Sequence, residues 1–147
     1  MSMLLTESEA VALLRMSKHH IDSSNYFFPS LGGSLRIPLF SDDRREEFSL
    51  DITRGRIALH KNTFQNRARK AVIIARLDIG GPPHRNPDGE EMPCPHMHIY
   101  KEGYGDKWAI SLPAEFNHLS DSIDILEQFM KYCNVVTKPV IERELFT

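Results

Sequence analysis

The chain has 147 residues, of which 41% are hydrophobic and 26% are charged, a balance typical of a globular protein. Its formal charge of -2 indicates no general affinity for nucleic acid, and no apolar run approaches the ~18 residues of a membrane span. The N-terminal residues lack the basic start and long apolar core of a secretory signal. We therefore expect one domain over residues 1–147, in the cytoplasm, with no membrane contact and with Cys94 and Cys133 reduced.

The first predicted element is a helix that begins at a capping box formed by Thr6 and Glu9. Apolar residues then recur at helical spacing, at Ala10, Leu13 and Leu14. We expect this helix to end near residues 19–22, before a loop.

Beyond Gly33 the hydrophobic period changes from 3.6 to 2, which predicts strands. Alternating apolar residues over 48–52 indicate the first arm of a hairpin. Its turn is expected around Gly55, with Ile57 and Leu59 returning on the core side. The sequence Asn-Arg-Ala-Arg at residues 66–69 is interpreted as a basic connection.

Residues 71–79 form the strongest predicted strand, followed by a loop over 80–95 that is rich in proline and glycine. Alternation along the strand assigns its side chains to two faces. The expected core face carries Ala71, Ile73, Ala75, Leu77 and Ile79, and the other face carries Val72, Ile74, Arg76 and Asp78.

A second hairpin is predicted from residues 96–100 and 108–112. The side chains expected to face the core are Met97, Ile99, Trp108, Ile110 and Leu112. This assignment sends His96, His98 and Tyr100 to the opposite face, beside the small residues Ala109 and Ser111.

A second helix is expected after a Ser120 cap, and a short final strand is expected over residues 138–145. The buried stripe predicted for this helix comprises Ile123, Leu126, Phe129, Met130 and Cys133. The whole order predicts an α+β fold: an N-terminal helix, a mainly antiparallel curved sheet of five to six strands, a C-terminal helix and the final strand.

The face opposite the core concentrates titratable groups on a rigid sheet, which favours a reaction site. Cleavage of RNA through its own 2′-hydroxyl needs a base, an acid and cations beside the phosphate, and histidine serves as either base or acid near neutral pH. The predicted catalytic residues of such a metal-independent endoribonuclease, which needs no cofactor, are His96, His98, Tyr100, Arg76 and Lys107. The predicted substrate-binding residues are Arg54, Arg56, Arg67, His84 and Asp88.

Two other functions remain open from the residues alone. The His-x-His spacing of His96 and His98 aims two imidazoles at one point, as in many metal sites, with Cys94, His84, Asp88 or Glu102 as further ligands. Alternatively, exposed Tyr, His and Arg side chains are typical of a protein interface, which predicts a binding module with no catalysis.

Three segments carry a resemblance to a known family. Residues 48–57, 75–90 and 95–109 contain the strings PHxNPDGE and HxHxYxEGYG, and they resemble a family of small bacterial and prophage-associated proteins of unknown function. The resemblance covers roughly residues 6–140 and implies an intracellular protein of mobile elements. It therefore implies either a toxin that acts on RNA, with a cognate antitoxin as partner, or an anti-defence or regulatory protein that binds a host protein.

Overall fold

The computed structural model describes residues 5–57 and 60–143, and these form an α+β fold with two α-helices and a mainly antiparallel sheet. The elements in chain order are α1 (Glu7–Arg15), β1 (Lys18–His19), β2 (Asn25–Phe27), β3 (Ser34–Phe40), β4 (Glu47–Arg54), β5 (Asn62–Ala68), β6 (Val72–Ile79), β7 (His84–Arg85), β8 (Glu91–Met92), β9 (His96–Ile99), β10 (Ala109–Ser111), a 3₁₀ turn (Ala114–Phe116), α2 (Ser122–Tyr132), β11 (Val135–Thr137) and β12 (Val140–Glu142).

Eight strands make the main sheet, in the order β10-β9-β6-β5-β4-β3-β1-β11, so the expected count of five to six strands was too low. Neighbours pair antiparallel except β1 and β11, which pair parallel. The short pairs β2–β12 and β7–β8 form two small sheets outside it. The additional strands are two or three residues long, too short to produce a periodic signal in the sequence.

The hydrophobic core lies between one face of the main sheet and the two helices. Alternation along the central strands buries Leu50, Phe64, Leu77 and Met97 at 0–1% exposure. The stripe of α2 covers this face as predicted, since Leu126, Phe129, Met130 and Cys133 are buried and Ile123 packs against them. The opposite face is polar, and it is described with the candidate site.

The helix boundaries show how side-chain caps decide where a helix starts. The Thr6–Glu9 capping box is present in both directions, which confirms the predicted start of α1. The predicted cap of α2 was wrong by one residue, because the Asp121 carboxylate, not Ser120, accepts the amides of Ile123 and Asp124. The predicted end of α1 was also wrong: the helix stops at Arg15, and Lys18 starts a strand.

Lys18 explains the early end of α1. Its side chain is fully buried, and its ammonium donates to the carbonyls of Leu14, Met16 and Cys133 at 2.9, 3.0 and 2.7 Å. These carbonyls lie at the C-terminal ends of α1 and α2, where backbone acceptors have no partner within the helix. Burial lowers the pKa of Lys18 to about 8, against an opposing effect of the Cys133 thiol. One buried cation therefore joins the ends of both helices.

The predicted return arm of the first hairpin was displaced along the chain. Ile57 is 91% exposed, while Leu59 lies outside the described residues. The return strand is β5, so the expected basic connection at residues 66–69 is largely strand, and Arg69 and Lys70 form the turn with positive φ. The apolar pattern misled because β5 buries two asparagines, Asn62 and Asn66, among its core positions.

A register shift between Asn66 and Arg67, where β5 pairs with β6, changes which β6 side chains reach the core. The core side takes Val72 and Ile74 before the shift and Ala75 and Leu77 after it. The alternation predicted for residues 71–74 was therefore inverted, with Ala71 exposed. Beyond the shift the prediction holds, and Arg76 and Asp78 lie on the polar face.

Of the helices within the described ranges, none is long and apolar enough to cross a membrane.

We expect Lys18→Met to lower the free energy of unfolding by about 2–4 kcal/mol, because it leaves one buried and two partly buried carbonyls without this donor. Urea unfolding followed by circular dichroism measures this change. Lys138→Met is the matched control, since Lys138 pairs with Glu127 at the surface, and its effect should stay within ~0.5 kcal/mol. Equal midpoints for the two variants would show that Lys18 does not join the helix ends.

Candidate functional site

The polar face is the side of the main sheet that faces away from the helices. Strand pairing arranges its residues in two rows that cross the sheet. One row contains Arg36, Asp51, Gln65, Arg76, His98 and Ala109. The other contains Ser34, Thr53, Thr63, Asp78, His96 and Ser111. Because the pairs face each other directly, side chains from strands distant in sequence meet on this face.

An Asp–His–His cluster of Asp78, His96 and His98 lies where β6 pairs with β9. The Nε2 atoms of His96 and His98 are 3.3 and 3.1 Å from one oxygen, Oδ2 of Asp78. Each residue offers one atom that could coordinate a metal ion, and these three atoms lie within 4.8 Å of one another, an arrangement that can hold such an ion. The rings are buried at 2% and 1% exposure although they project from the face opposite the helices.

Backbone carbonyls hold both imidazoles in one orientation. His96 Nδ1 is 3.2 Å from the Pro93 carbonyl, and His98 Nδ1 is 2.8 Å from the Asp106 carbonyl. Since a carbonyl only accepts, the hydrogen-bond network assigns the proton of each neutral ring to Nδ1. The Nε2 lone pairs of both rings are therefore directed toward Asp78.

Arg76 holds the carboxylate from the other side. Its Nε and Nη2 donate to the two oxygens of Asp78 at 3.1 and 3.2 Å, and its Nη1 donates to Asp106 at 2.8 Å. Nη2 also lies 3.0 Å from His98 Nε2, which accepts. Burial alone would raise the pKa of Asp78, but the hydrogen bond and charge of His98 in its protonated form, with the charge and hydrogen bonds of Arg76, lower it to about 2. Asp78 is thus an anion at neutral pH.

A loop, residues 80–95, covers one side of the cluster. It leaves β6 at Gly80, where φ is +72° and a Cβ would lie 2.3 Å from the His60 carbonyl, so only glycine fits. The loop then places His84 against the cluster, with ring centroids 4.6 Å from His98 and 5.9 Å from His96. The Nε2 atom of His84 donates to the Lys107 carbonyl at 2.7 Å.

Asn86 fastens this loop to the edge of the sheet. Its side-chain amide donates to the Ala109 carbonyl at 2.9 Å and its oxygen accepts the Ala109 N–H at 2.8 Å. The buried amide therefore replaces the missing neighbour of edge strand β10. This pair of bonds positions His84, two residues earlier, beside the cluster.

A cavity of about 420 Å³ opens next to the cluster on the polar face. His84, His96, Asp78 and Arg76 line one side of it. The remaining lining residues are Thr53, Lys61, Thr63, Gln65, Ile79, Gly81, Pro82 and Pro83. A molecule in this cavity would contact the cluster directly.

The expected placement of Tyr100 beside the two histidines was wrong. Tyr100 is 4% exposed within the hydrophobic core, and its hydroxyl donates to the Leu5 carbonyl and accepts the Leu5 N–H, each at 2.9 Å. Strand β9 ends at Ile99, so the strict alternation that the prediction assumed stops one residue before Tyr100.

The expected basic residues do not gather at the cluster either. Arg54 donates to the Pro29 carbonyl at 3.2 Å, and Arg67 pairs with Asp51 at 3.0 Å. Arg56 is exposed near Gly32, and none of these three arginines lines the cavity. Arg54 is the last residue of β4, Arg67 lies in β5, and Arg56 lies between the two strands, so the three side chains reach different places.

Two further predicted residues have other roles in the structure. Lys107 contributes its carbonyl to His84, and its side chain does not line the cavity. Asp88 is an exposed turn residue whose carboxylate accepts the Glu90 N–H at 3.0 Å. Of the predicted site residues, the structure brings together His96, His98, Arg76 and His84.

Sequence reasoning gave no site role to Asp78, Asp106 or Asn86. Asp78 was placed on the correct face. It lies two residues after Arg76 in a predicted strand, and this spacing indicated that the two side chains share a face. Asp106 and Asn86 lie in turns, where no periodicity reports the direction of a side chain.

We expect Asn86→Ala to destabilise the protein by about 2–3 kcal/mol and to loosen the loop, because Ala109 loses both edge hydrogen bonds in a buried position. Hydrogen exchange of the Ala109 amide and of residues 80–95 should accelerate. Asn117→Ala, at an exposed position, is the control. Unchanged exchange in Asn86→Ala would show that the loop is held by other contacts.

Comparison with known proteins gives a family but no function. A protein-family profile matches residues 5–135. No curated protein and no solved structure matches the chain. The matched segment includes α1, the loop and every residue of the Asp–His–His cluster. Because the match covers most of the chain, the chain belongs to the family of unknown function DUF6978.

Proposed function

We propose that this protein binds a divalent transition-metal ion through Asp78 Oδ2, His96 Nε2 and His98 Nε2. Two imidazoles and one carboxylate are the ligand set of many zinc and non-haem iron sites. The three residues come from adjacent strands, which hold ligands more rigidly than loops do.

The observation that carries this proposal is the convergence of three acceptors. When both rings are neutral, they donate their Nδ1 protons to carbonyls, so two Nε2 lone pairs and a carboxylate oxygen face one another at 3.1 and 3.3 Å. A protonated ring instead donates from Nε2 to Asp78. The arrangement with neutral rings is repulsive unless positive charge lies among the three atoms. The Arg76 guanidinium supplies part of it for His98, but no cation among the described residues contacts His96 Nε2.

The spacing and the surrounding contacts also fit a metal ion. Ligand bonds of about 2.0–2.1 Å at tetrahedral angles place neighbouring ligand atoms about 3.3 Å apart, close to the two distances measured here. The Pro93 and Asp106 carbonyls orient the imidazoles, and Arg76 orients the carboxylate, as outer partners do in metal sites. A bound ion would face the cavity and could polarise a substrate oxygen or activate water there.

We expect protein purified without chelator, or reloaded with Zn²⁺, to contain close to one metal ion per chain by elemental analysis. Asp78→Ala and the double variant His96→Ala/His98→Ala should lose it, since each removes ligand atoms of the cluster. The exposed His118 supplies the control, and His118→Ala should keep the metal. Saturating Zn²⁺ should raise the stability by about 2.7 kcal/mol at 100 times Kd. Equal metal content in wild type and Asp78→Ala would contradict the proposal.

A second candidate is metal-independent RNA cleavage of toxin type, with His96 and His98 as acid and base and RNA as the substrate. Support comes from the two imidazoles beside Arg76, and from a cavity that Lys61 also lines. Tyr100 is withdrawn from this mechanism because of its place in the core. A cognate antitoxin or a host defence protein would be the partner in the cell.

If this second activity is present, purified protein should cut bulk RNA in excess chelator. His96→Ala and His98→Ala should reduce the rate at least ~10²-fold, because each removes a proton-transfer group. Gel electrophoresis of the RNA measures the rate, with His118→Ala as the control that keeps it. Intact RNA at high wild-type concentration would exclude the candidate. Cleavage that returns only when metal is added would assign the reaction to the metal site.

A further inference from the structure

We infer that His84 is a fourth ligand of the metal ion, delivered by the loop of residues 80–95, and that metal binding closes this loop over the cavity. The inference rests on the proposed metal site of Asp78, His96 and His98. It adds a ligand from outside the sheet. Because this ligand lies in the loop beside the cavity, metal binding would control access to the cavity.

The position of His84 carries the inference. Its ring packs edge-on against His98 with centroids 4.6 Å apart and an interplanar angle of 70°, and it also lies 5.9 Å from His96. A third imidazole thus packs against the two that contact Asp78, although its nitrogens lie outside the group of ligand atoms found within 4.8 Å of one another.

The protonation of His84 matches that of the other two rings. Its Nε2 donates to a backbone carbonyl, that of Lys107 at 2.7 Å, so its Nδ1 carries the lone pair when the ring is neutral. Nδ1 has no hydrogen-bond partner within the described ranges, although the residue is only partly exposed. All three histidines therefore have one nitrogen held by a carbonyl, as metal-binding histidines commonly do. The second nitrogen lies against Asp78 in His96 and against Asp78 and Arg76 in His98.

The loop that carries His84 is held at two points, one on each side of this residue. Asn86 anchors it to Ala109 through two hydrogen bonds, and Gly80 provides the sharp exit from β6. Between these points lie Gly81, Pro82 and Pro83, which line the cavity together with His84. A bond from His84 to the metal would pin this short segment at the cavity mouth, so metal occupancy and cavity access would be coupled.

Zinc binding separates this inference from the proposal on which it rests. We expect His84→Ala to bind Zn²⁺ 10–100-fold more weakly than wild type in chelator competition, whereas Asp78→Ala binding should be lost. In Co²⁺-loaded protein, the visible bands should change intensity in His84→Ala, because water replaces an imidazole. Zn²⁺ should slow hydrogen exchange over residues 80–95 in wild type and leave it fast in His84→Ala.

Two controls exclude indirect effects. Urea unfolding of metal-free His84→Ala and metal-free wild type measures the loss of the His84–Lys107 hydrogen bond by itself, and the gain in stability from Zn²⁺ should then be smaller in the variant. His118→Ala should bind Zn²⁺ as wild type does. If wild type binds Zn²⁺ and His84→Ala matches it in affinity, Co²⁺ spectrum and loop exchange, the inference is overturned while the three-residue site stands. If wild type itself binds no Zn²⁺, both fail.

Discussion

The pairing of β6 with β9 is the constraint on which the site depends. This pairing sets Asp78 opposite His96 and Arg76 opposite His98, so four charged or titratable groups meet on one face of the sheet. A slip of one residue would send the two histidines into the core and Met97 to the polar face. Met97, at 0% exposure, therefore fixes the register that builds the site.

The site is also shielded by what surrounds it. The histidine rings are almost fully buried although they lie on the polar face, because His84, the loop and the turn at Asp106 cover them. Burial excludes water and strengthens every charge interaction inside, which makes an uncompensated group costly. A cluster of three acceptors in such a place is a specialised arrangement, and it supports metal chemistry more directly than the proton transfer suggested by the two histidines alone.

Stability and function use separate parts of this fold. The buried Lys18 joins the two helix ends on the core side, while the Asp–His–His cluster lies on the other side of the sheet. Asn86 contributes both to stability and to the candidate site at one edge of the sheet, since it completes the hydrogen bonds of β10 and positions the loop that carries His84. Changes to the site can therefore be made with little effect on the helices that cover the core.

The sequence by itself determined the α+β class, the capping box, the α2 stripe, the strand pairing of the second hairpin and the placement of Arg76, His96 and His98 on one face. Within that hairpin, Ile110 was wrongly expected in the core, since it is 44% exposed. Each of the correct predictions depends on local periodicity or on a cap within four residues. Tertiary structure decided the rest. The register shift of β5 and β6, the burial of Tyr100 against Leu5, the separation of Arg54 and Arg67 from the cluster, and the approach of His84 all involve long-range contacts. Such contacts depend on which strands pair and where turns point, and a period along the chain carries no information about either.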